Sequence, residues 1–242
     1  MKFTILSLFP DILRGYFSDS IMAKAVMRGL VDVQLVNIRD YAYDRHRVCD
    51  DSPYGGGAGM VLKPEPLSRA LDAVEAEGKR VVFPTPSGRP FRQNLAEDLA
   101  SEPELVFVCG RYEGVDQRVI DLYVDDEISI GDYVISSGEI AALVIVDAVY
   151  RLLDGVITQD SLAEESFTQP LLEYPHYTRP EVFRGLRVPE VLLGGHHAKI
   201  DAWRLRKRVE KTLENRPELL SDAGTDEEIR RIRDDLKRTS EG

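Results

Sequence analysis

Cysteine is scarce in this chain, with only Cys49 and Cys109 among 242 residues. Two isolated thiols provide neither a disulfide framework nor the paired spacing of a zinc site, so a reduced, cytoplasmic setting is expected. Histidine is scarce too, with four residues. His196 and His197 are adjacent rather than one helical turn apart, and His46 and His176 have no partner spacing, so no metal site is read from them. No run reaches the roughly 18 apolar residues of a membrane span. Pro10 breaks the apolar start Met1–Phe9 too early for a signal peptide. The phosphate-loop pattern, the G-x-G-x-x-G fingerprint and the G-x-S-x-G elbow are all missing, which weakens nucleotide-hydrolase and serine-hydrolase readings. There are no internal repeats and no low-complexity tract.

Charge of both signs is plentiful but unevenly placed. The chain carries net −11, which argues mildly against nucleic acid. Residues 1–175 hold 16 Lys and Arg against 29 Asp and Glu, whereas residues 176–217 hold 10 against 5. A basic segment therefore sits inside an acidic chain, either as a solvated helix face or as a surface for a polyanion.

The apolar pattern predicts an α/β domain followed by a small helical one. Strands are expected at Lys2–Leu8, Val31–Ile38, Lys79–Phe83, Leu105–Cys109 and Glu127–Ile135. Helices are expected near 11–16, 21–28, 64–77, 93–100, 140–153, 196–215 and 226–238, with Ser136 and Glu139 spaced as a capping box before the fifth. Residues 1–158 make the first domain, 159–170 a polar linker and 171–242 the second. Four glycines in Gly55–Gly59 mark a loop that bends freely or approaches something closely.

Three loops follow strand ends: Pro84–Gly88, Cys109–Gly114 and Ile130–Gly138. Each is rich in small residues or proline, and loops at one sheet edge converge on a ligand. Arg151 and the linker carboxylates Asp160, Glu164 and Glu165 are the nearest polar chemistry, and a carboxylate there can act as a general base.

Four stretches together carry a resemblance: Pro53–Met60 (P-Y-G-G-G-A-G-M), Cys109–Asp116 (C-G-R-Y-E-G-V-D), Ser129–Val134 (S-I-G-D-Y-V) and Pro175–Pro180 (P-H-Y-T-R-P). The chain resembles the bacterial tRNA (guanine-37-N1)-methyltransferases of the SPOUT class, the TrmD family, from Lys2 to about Pro217. The resemblance implies a trefoil-knotted parallel-sheet α/β domain followed by a small all-helical C-terminal domain. It implies S-adenosylmethionine at Phe83, Pro84, Thr85, Pro86, Gly110, Glu113, Ser129, Ile130, Gly131, Asp132, Tyr133, Val134, Ile135 and Gly138, held largely through backbone groups. Substrate contacts are implied at Gly55, Gly57, Gly59, Met60, His176, Tyr177 and Arg179.

The implied partners are tRNA and a second copy of the chain, the active site being shared between subunits, with no membrane. Magnesium is an implied accessory with no ligand cluster to point to. Guanine nitrogen 1 attacks the donor methyl carbon while a base takes its proton. The family places an aspartate before Ser-Phe; here Glu165 precedes Ser166-Phe167, with Glu164 the next candidate. Arg151 matches the arginine that stabilises charge on the guanine oxygen. The alternatives are a non-catalytic tRNA- or S-adenosylmethionine-binding relative and a knotted ribose 2′-O-methyltransferase.

Overall fold

The computed structural model describes residues 1–158, 165–167, 169–220 and 226–240. The chain divides into two compact units, Met1–Thr158 and Gln159–Gly242. The first is built on five parallel strands in the order β2-β1-β6-β5-β7. These are β1 (Lys2–Ser7), β2 (Asp32–Asn37), β5 (Arg80–Pro90), β6 (Glu104–Val108) and β7 (Asp126–Ser129). The two-residue strands β3 (Asp50–Asp51) and β4 (Val61–Leu62) pair separately and antiparallel.

Alternation along the central strands fills two apolar layers. Phe3, Ile5, Val82, Leu105 and Phe107 face α1 (Asp11–Phe17), α2 (Ser20–Met27), α4 (Gln93–Ala100) and α6 (Gly138–Tyr150). Leu6, Val81, Val106 and Val108 face α3 (Pro64–Ala73) and α5 (Gln117–Tyr123). Buried on both faces, such strands read as continuous β-branched runs. Each fully buried Leu, Ile or Phe contributes about 1.5–3 kcal/mol.

The sheet's amino-terminal edge is tied by charge. Arg80 reaches Asp126 at 2.7 Å and Asp98 at 2.6 Å, and Arg89 also pairs with Asp126. Glu104 accepts from Thr4 at 2.8 Å and pairs with Lys2 and Lys79 at 3.1 and 3.2 Å.

Several expectations need correcting. Pro84–Gly88 does not end its strand: β5 runs on to Pro90, with a register shift between Pro84 and Arg89 opposite Ile128. The prolines are tolerated because a bulge leaves backbone groups out of the ladder. Conversely, β7 stops at Ser129 rather than Ile135. There the Ser129 hydroxyl accepts from the Gly131 amide at 3.3 Å, and the Tyr133 amide donates to the Gly131 carbonyl at 2.8 Å, which folds the chain into a turn.

Helix α5, capped by the Asp116 side chain accepting from the Arg118 amide at 3.0 Å, was not anticipated. The expected capping box does not form either. Ser137 is the N-cap and makes no side-chain cap bond, while Glu139 is fully buried and bonded elsewhere.

The second unit packs α7 (His197–Asn215) and α8 (Glu227–Ser240) around Leu171, Val209, Leu220 and Ile229. It is not all-helical. Strands β8 (Val182–Phe183) and β9 (Leu186–Arg187) form a hairpin. Arg184 and Gly185 both have positive φ, as a two-residue type I′ turn requires. Among the described residues, no helix is long and apolar enough to cross a membrane.

Candidate functional site

The middle of β5, where its register shifts, and the carboxyl ends of β6 and β7 open into a cavity of about 290 Å³. This size lies near the lower bound of small-molecule sites, roughly 300 Å³, and the position is where parallel sheets hold ligands. Three loops wall it: the bulge of β5, the turn after β6 and the stretch from β7 to α6. Of the fourteen residues the resemblance assigns to the methyl donor, thirteen line this cavity. The fourteenth, Asp132, is exposed and lies outside the lining.

Backbone contact makes the wall close-fitting. The Gly138 amide donates to the Gly110 carbonyl at 3.0 Å, joining the start of α6 to the turn after β6. A Cβ on Gly138 would stand 2.6 Å from the Gly110 nitrogen and 3.0 Å from the Cys109 Cα, so only glycine fits. The adjacent Cys109 is fully buried, and burial together with the Glu139 carboxylate pushes its thiol well up. It is therefore an inert packing group rather than a nucleophile.

The lining also includes residues that sequence reasoning did not single out, chiefly Arg111, Tyr112, Ser136 and Ser137. Arg111 and Tyr112 lie within the C-G-R-Y-E-G motif, and that position was the available signal. Arg111 Nε faces Glu139 Oε2 at 3.3 Å, and its guanidinium lies 4.8 Å from the Phe9 ring centroid.

The glycine loop is fastened beside the cavity. The Glu113 amide donates to the Met60 carbonyl at 3.0 Å, and the Leu62 amide donates to the Gly114 carbonyl at 3.0 Å. Gly59 has φ +86°, and a side chain there would fall on the Glu113 carboxylate. Gly55, Gly57 and Gly59 are exposed, so a loop open to solvent runs next to a carboxylate on the cavity wall.

Arg151 caps the carboxyl end of α6, whereas Gly138 at its amino end lines the cavity. At 1.5 Å per residue, that separation is about 20 Å along the helix. Arg151 is therefore not brought to the cavity within this chain.

The other assigned residues belong to the second unit. Glu165 is half-buried there, and its neighbour Ser166 accepts from the Glu173 amide at 3.0 Å. Glu164 and Asp160 lie outside the described residues. His176 stacks on Tyr174 at 4.7 Å between centroids, and Tyr177 lies 6.3 Å from Trp203. His176, Tyr177 and Arg179 are all exposed. Among the described residues, no group of three or more His, Cys, Asp or Glu gathers to hold a metal ion, so none is assigned to magnesium.

The family model described as tRNA (Guanine-1)-methyltransferase TrmD matches residues 1–222. A Treponema denticola protein named tRNA (guanine-N(1)-)-methyltransferase is 66% identical over 223 residues, covering 92% of each chain. A Borreliella burgdorferi protein of the same name is 62% identical over 221 residues, covering 90% of this chain and 92% of its own. One from Treponema pallidum is 59% identical over 223 residues, covering 92% of this chain and 89% of its own.

Proposed function

The chain belongs to the TrmD family of tRNA (guanine-1)-methyltransferases, and from that premise we propose that it methylates nitrogen 1 of guanine 37 in the tRNA anticodon loop, using S-adenosylmethionine. The observation that carries the reading of the site is the cavity walled by the bulge of β5, the turn after β6 and the stretch from β7 to α6. When bound, the donor supplies a methyl group on a sulfonium centre. The chain's part is to hold and orient it. Main-chain groups of the three loops grip the donor, and Glu113 on the wall offsets its positive charge. The winding of these loops around one another is read as a trefoil knot, supported by the backbone contact between Gly138 and Gly110.

Nitrogen 1 carries a proton at neutral pH and must lose it as the new bond forms. Glu165 is assigned as the base that takes it, and Arg151 as the cation that offsets charge on the guanine oxygen. Arg151 sits about 20 Å along α6 from its own cavity, which supports a homodimer in which each site draws on both copies. Ile12, Ile140 and Val144 are exposed apolar residues on α1 and α6, which pack together, and offer a face for the second copy. The exposed glycine loop admits the flipped guanine, and His176, Tyr177 and Arg179 meet the anticodon arm. The basic stretch 176–217 supplies phosphate contacts. The two free, buried thiols and the tRNA substrate fit a cytoplasmic location.

The deciding assay is methyl transfer to tRNA transcripts with guanine or adenine at position 37, followed by nucleoside mass spectrometry. N1-methylguanosine formed only on the guanine transcript is the expected product. A 2′-O-methylated nucleoside, or donor binding without transfer, would overturn the assignment.

A further inference from the structure

Glu139 is the only carboxylate at 0% exposure among the described residues. It lies in the first turn of α6, between Gly138 and Ala141, which both line the donor cavity. Its Oε1 accepts from the Ser7 hydroxyl at 2.5 Å, and that hydroxyl accepts from the Phe9 amide at 2.7 Å. Its Oε2 faces Arg111 Nε at 3.3 Å. Arg111 lines the cavity, and its Nη1 donates to the Ser136 carbonyl at 3.4 Å. One carboxylate thus connects the end of β1, the turn after β6 and the loop entering α6.

Stability alone does not account for this arrangement. A buried ion pair is weak evidence for stability, because an apolar pair of similar volume commonly does as well or better. The rest of the helix face around Glu139 follows that rule, being Ala142, Ile145, Val146 and Val149. The pair is also not locked. Arg111 Nε and Glu139 Oε2 face each other without an aligned hydrogen bond to any partner. Charge therefore holds the guanidinium near Glu139, and its bond to the Ser136 carbonyl sets its direction. The helix dipole favours an acidic side chain in the first turn, where Glu139 stands.

We infer that Glu139 is a positioning residue for the methyl donor: acting through Arg111, it sets the Ser136 carbonyl and the Ile130–Ser137 wall at the spacing the donor needs. The inference rests on reading the cavity as the donor site. It assigns Glu139 no contact with donor or guanine.

The test uses the full chain, with S-adenosylhomocysteine as the binding probe in calorimetry. Thermal unfolding and tRNA binding are measured alongside. Glu139→Gln keeps the shape and removes the charge. It is expected to weaken the probe about tenfold, the lower end of what is lost when a residue at a bound group loses the partner that orients it, with tRNA affinity unchanged. In turnover, the loss appears in the donor KM and not in the rate at saturating donor.

The double variant Glu139→Gln/Arg111→Met removes both charges. It is expected to recover melting temperature relative to the single variant but not probe affinity. Recovery of both, or native probe affinity in the single variant, would reduce the pair to a neutralised core charge and overturn the inference. Should Glu139→Gln not fold, Ser7→Ala removes the hydroxyl's two hydrogen bonds, to Glu139 and from the Phe9 amide, and leaves the ion pair. A loss of about threefold is expected there, the scale of a typical net hydrogen-bond contribution, since the ion pair acting through Arg111 persists, and native affinity would count against the inference equally. If the wild-type protein itself does not bind the probe, the donor reading fails and takes this inference with it.

Discussion

Gly138 and Gly110 meet through their backbones, the amide of one 3.0 Å from the carbonyl of the other. Neither side of that contact can rotate away. A methyl group at Gly138 would press on the Gly110 nitrogen and the Cys109 Cα, so the start of α6 would have to shift. Gly138→Ala is therefore expected to cost about 1–3 kcal/mol of stability through overpacking. It should also lower S-adenosylhomocysteine affinity, because the displaced backbone is the cavity wall. Thermal unfolding and calorimetry check the two effects, and native values for both would remove the steric argument.

Glu165→Gln tests the base proposed above separately from donor binding. Loss of a general base lowers the chemical step by roughly 10²- to 10⁴-fold. Single-turnover methyl transfer is expected to fall on that scale while donor affinity stays native. An unchanged rate would pass the role to a neighbour, with Glu164→Gln the next variant.

Glu104 gives a pH signature far from the chemistry. Burial pushes its carboxyl up, but hydrogen bonds from Thr4, Lys2 and Lys79 outweigh that and hold it below its ordinary value. A group with a depressed folded value stabilises the protein above its unfolded value and stops doing so as pH falls through the folded one. The stability gap between wild type and Glu104→Gln is therefore expected to be widest near neutrality and to narrow below about pH 4. Denaturant melts across that range measure it, and a gap independent of pH would contradict the ion-pair account.

Ile229 on α8 is buried against Val209 and Leu220 in the second unit. Ile229→Ala leaves a cavity there, at about 2–5 kcal/mol for such truncations. Since the donor cavity is built from the first unit alone, tRNA affinity is expected to drop while probe binding persists. Parallel loss of both would show that the two units do not behave separately.

The sequence displays much of this because the central strands are buried on both faces. Phe3–Leu6, interrupted only by Thr4, and the apolar runs Val81–Phe83 and Leu105–Val108 could hardly be anything else. The loops at their ends stand out by composition. Less legible were features decided by distant partners. Ser136 and Glu139 have capping-box spacing, but spacing alone does not reveal that Ser7, far earlier in the chain, claims the carboxylate. The strand β5 passes through Pro84 and Pro86 because a bulge absorbs them, and no local pattern announces which partner supplies the register. The hairpin β8–β9 is two exposed residues on each side, too short to show alternation. Helix α5 is a single amphipathic stretch of seven residues whose one clear marker is Asp116 at its cap.

A cavity with a backbone-to-backbone contact in its wall also bears on inhibition. Tyr133, Val134 and Ile135 line it, yet their side chains are exposed. The Tyr133 hydroxyl donates to the Ile130 carbonyl at 3.2 Å, but no such bond ties the Val134 or Ile135 side chain, so replacing either of those two is expected to leave the amides and carbonyls where they were. A compound that grips the same backbone groups would therefore face few escape routes through point substitution. Escape would require altering the length or course of a loop, and at Gly138 and Gly110 the same change would eject the natural ligand.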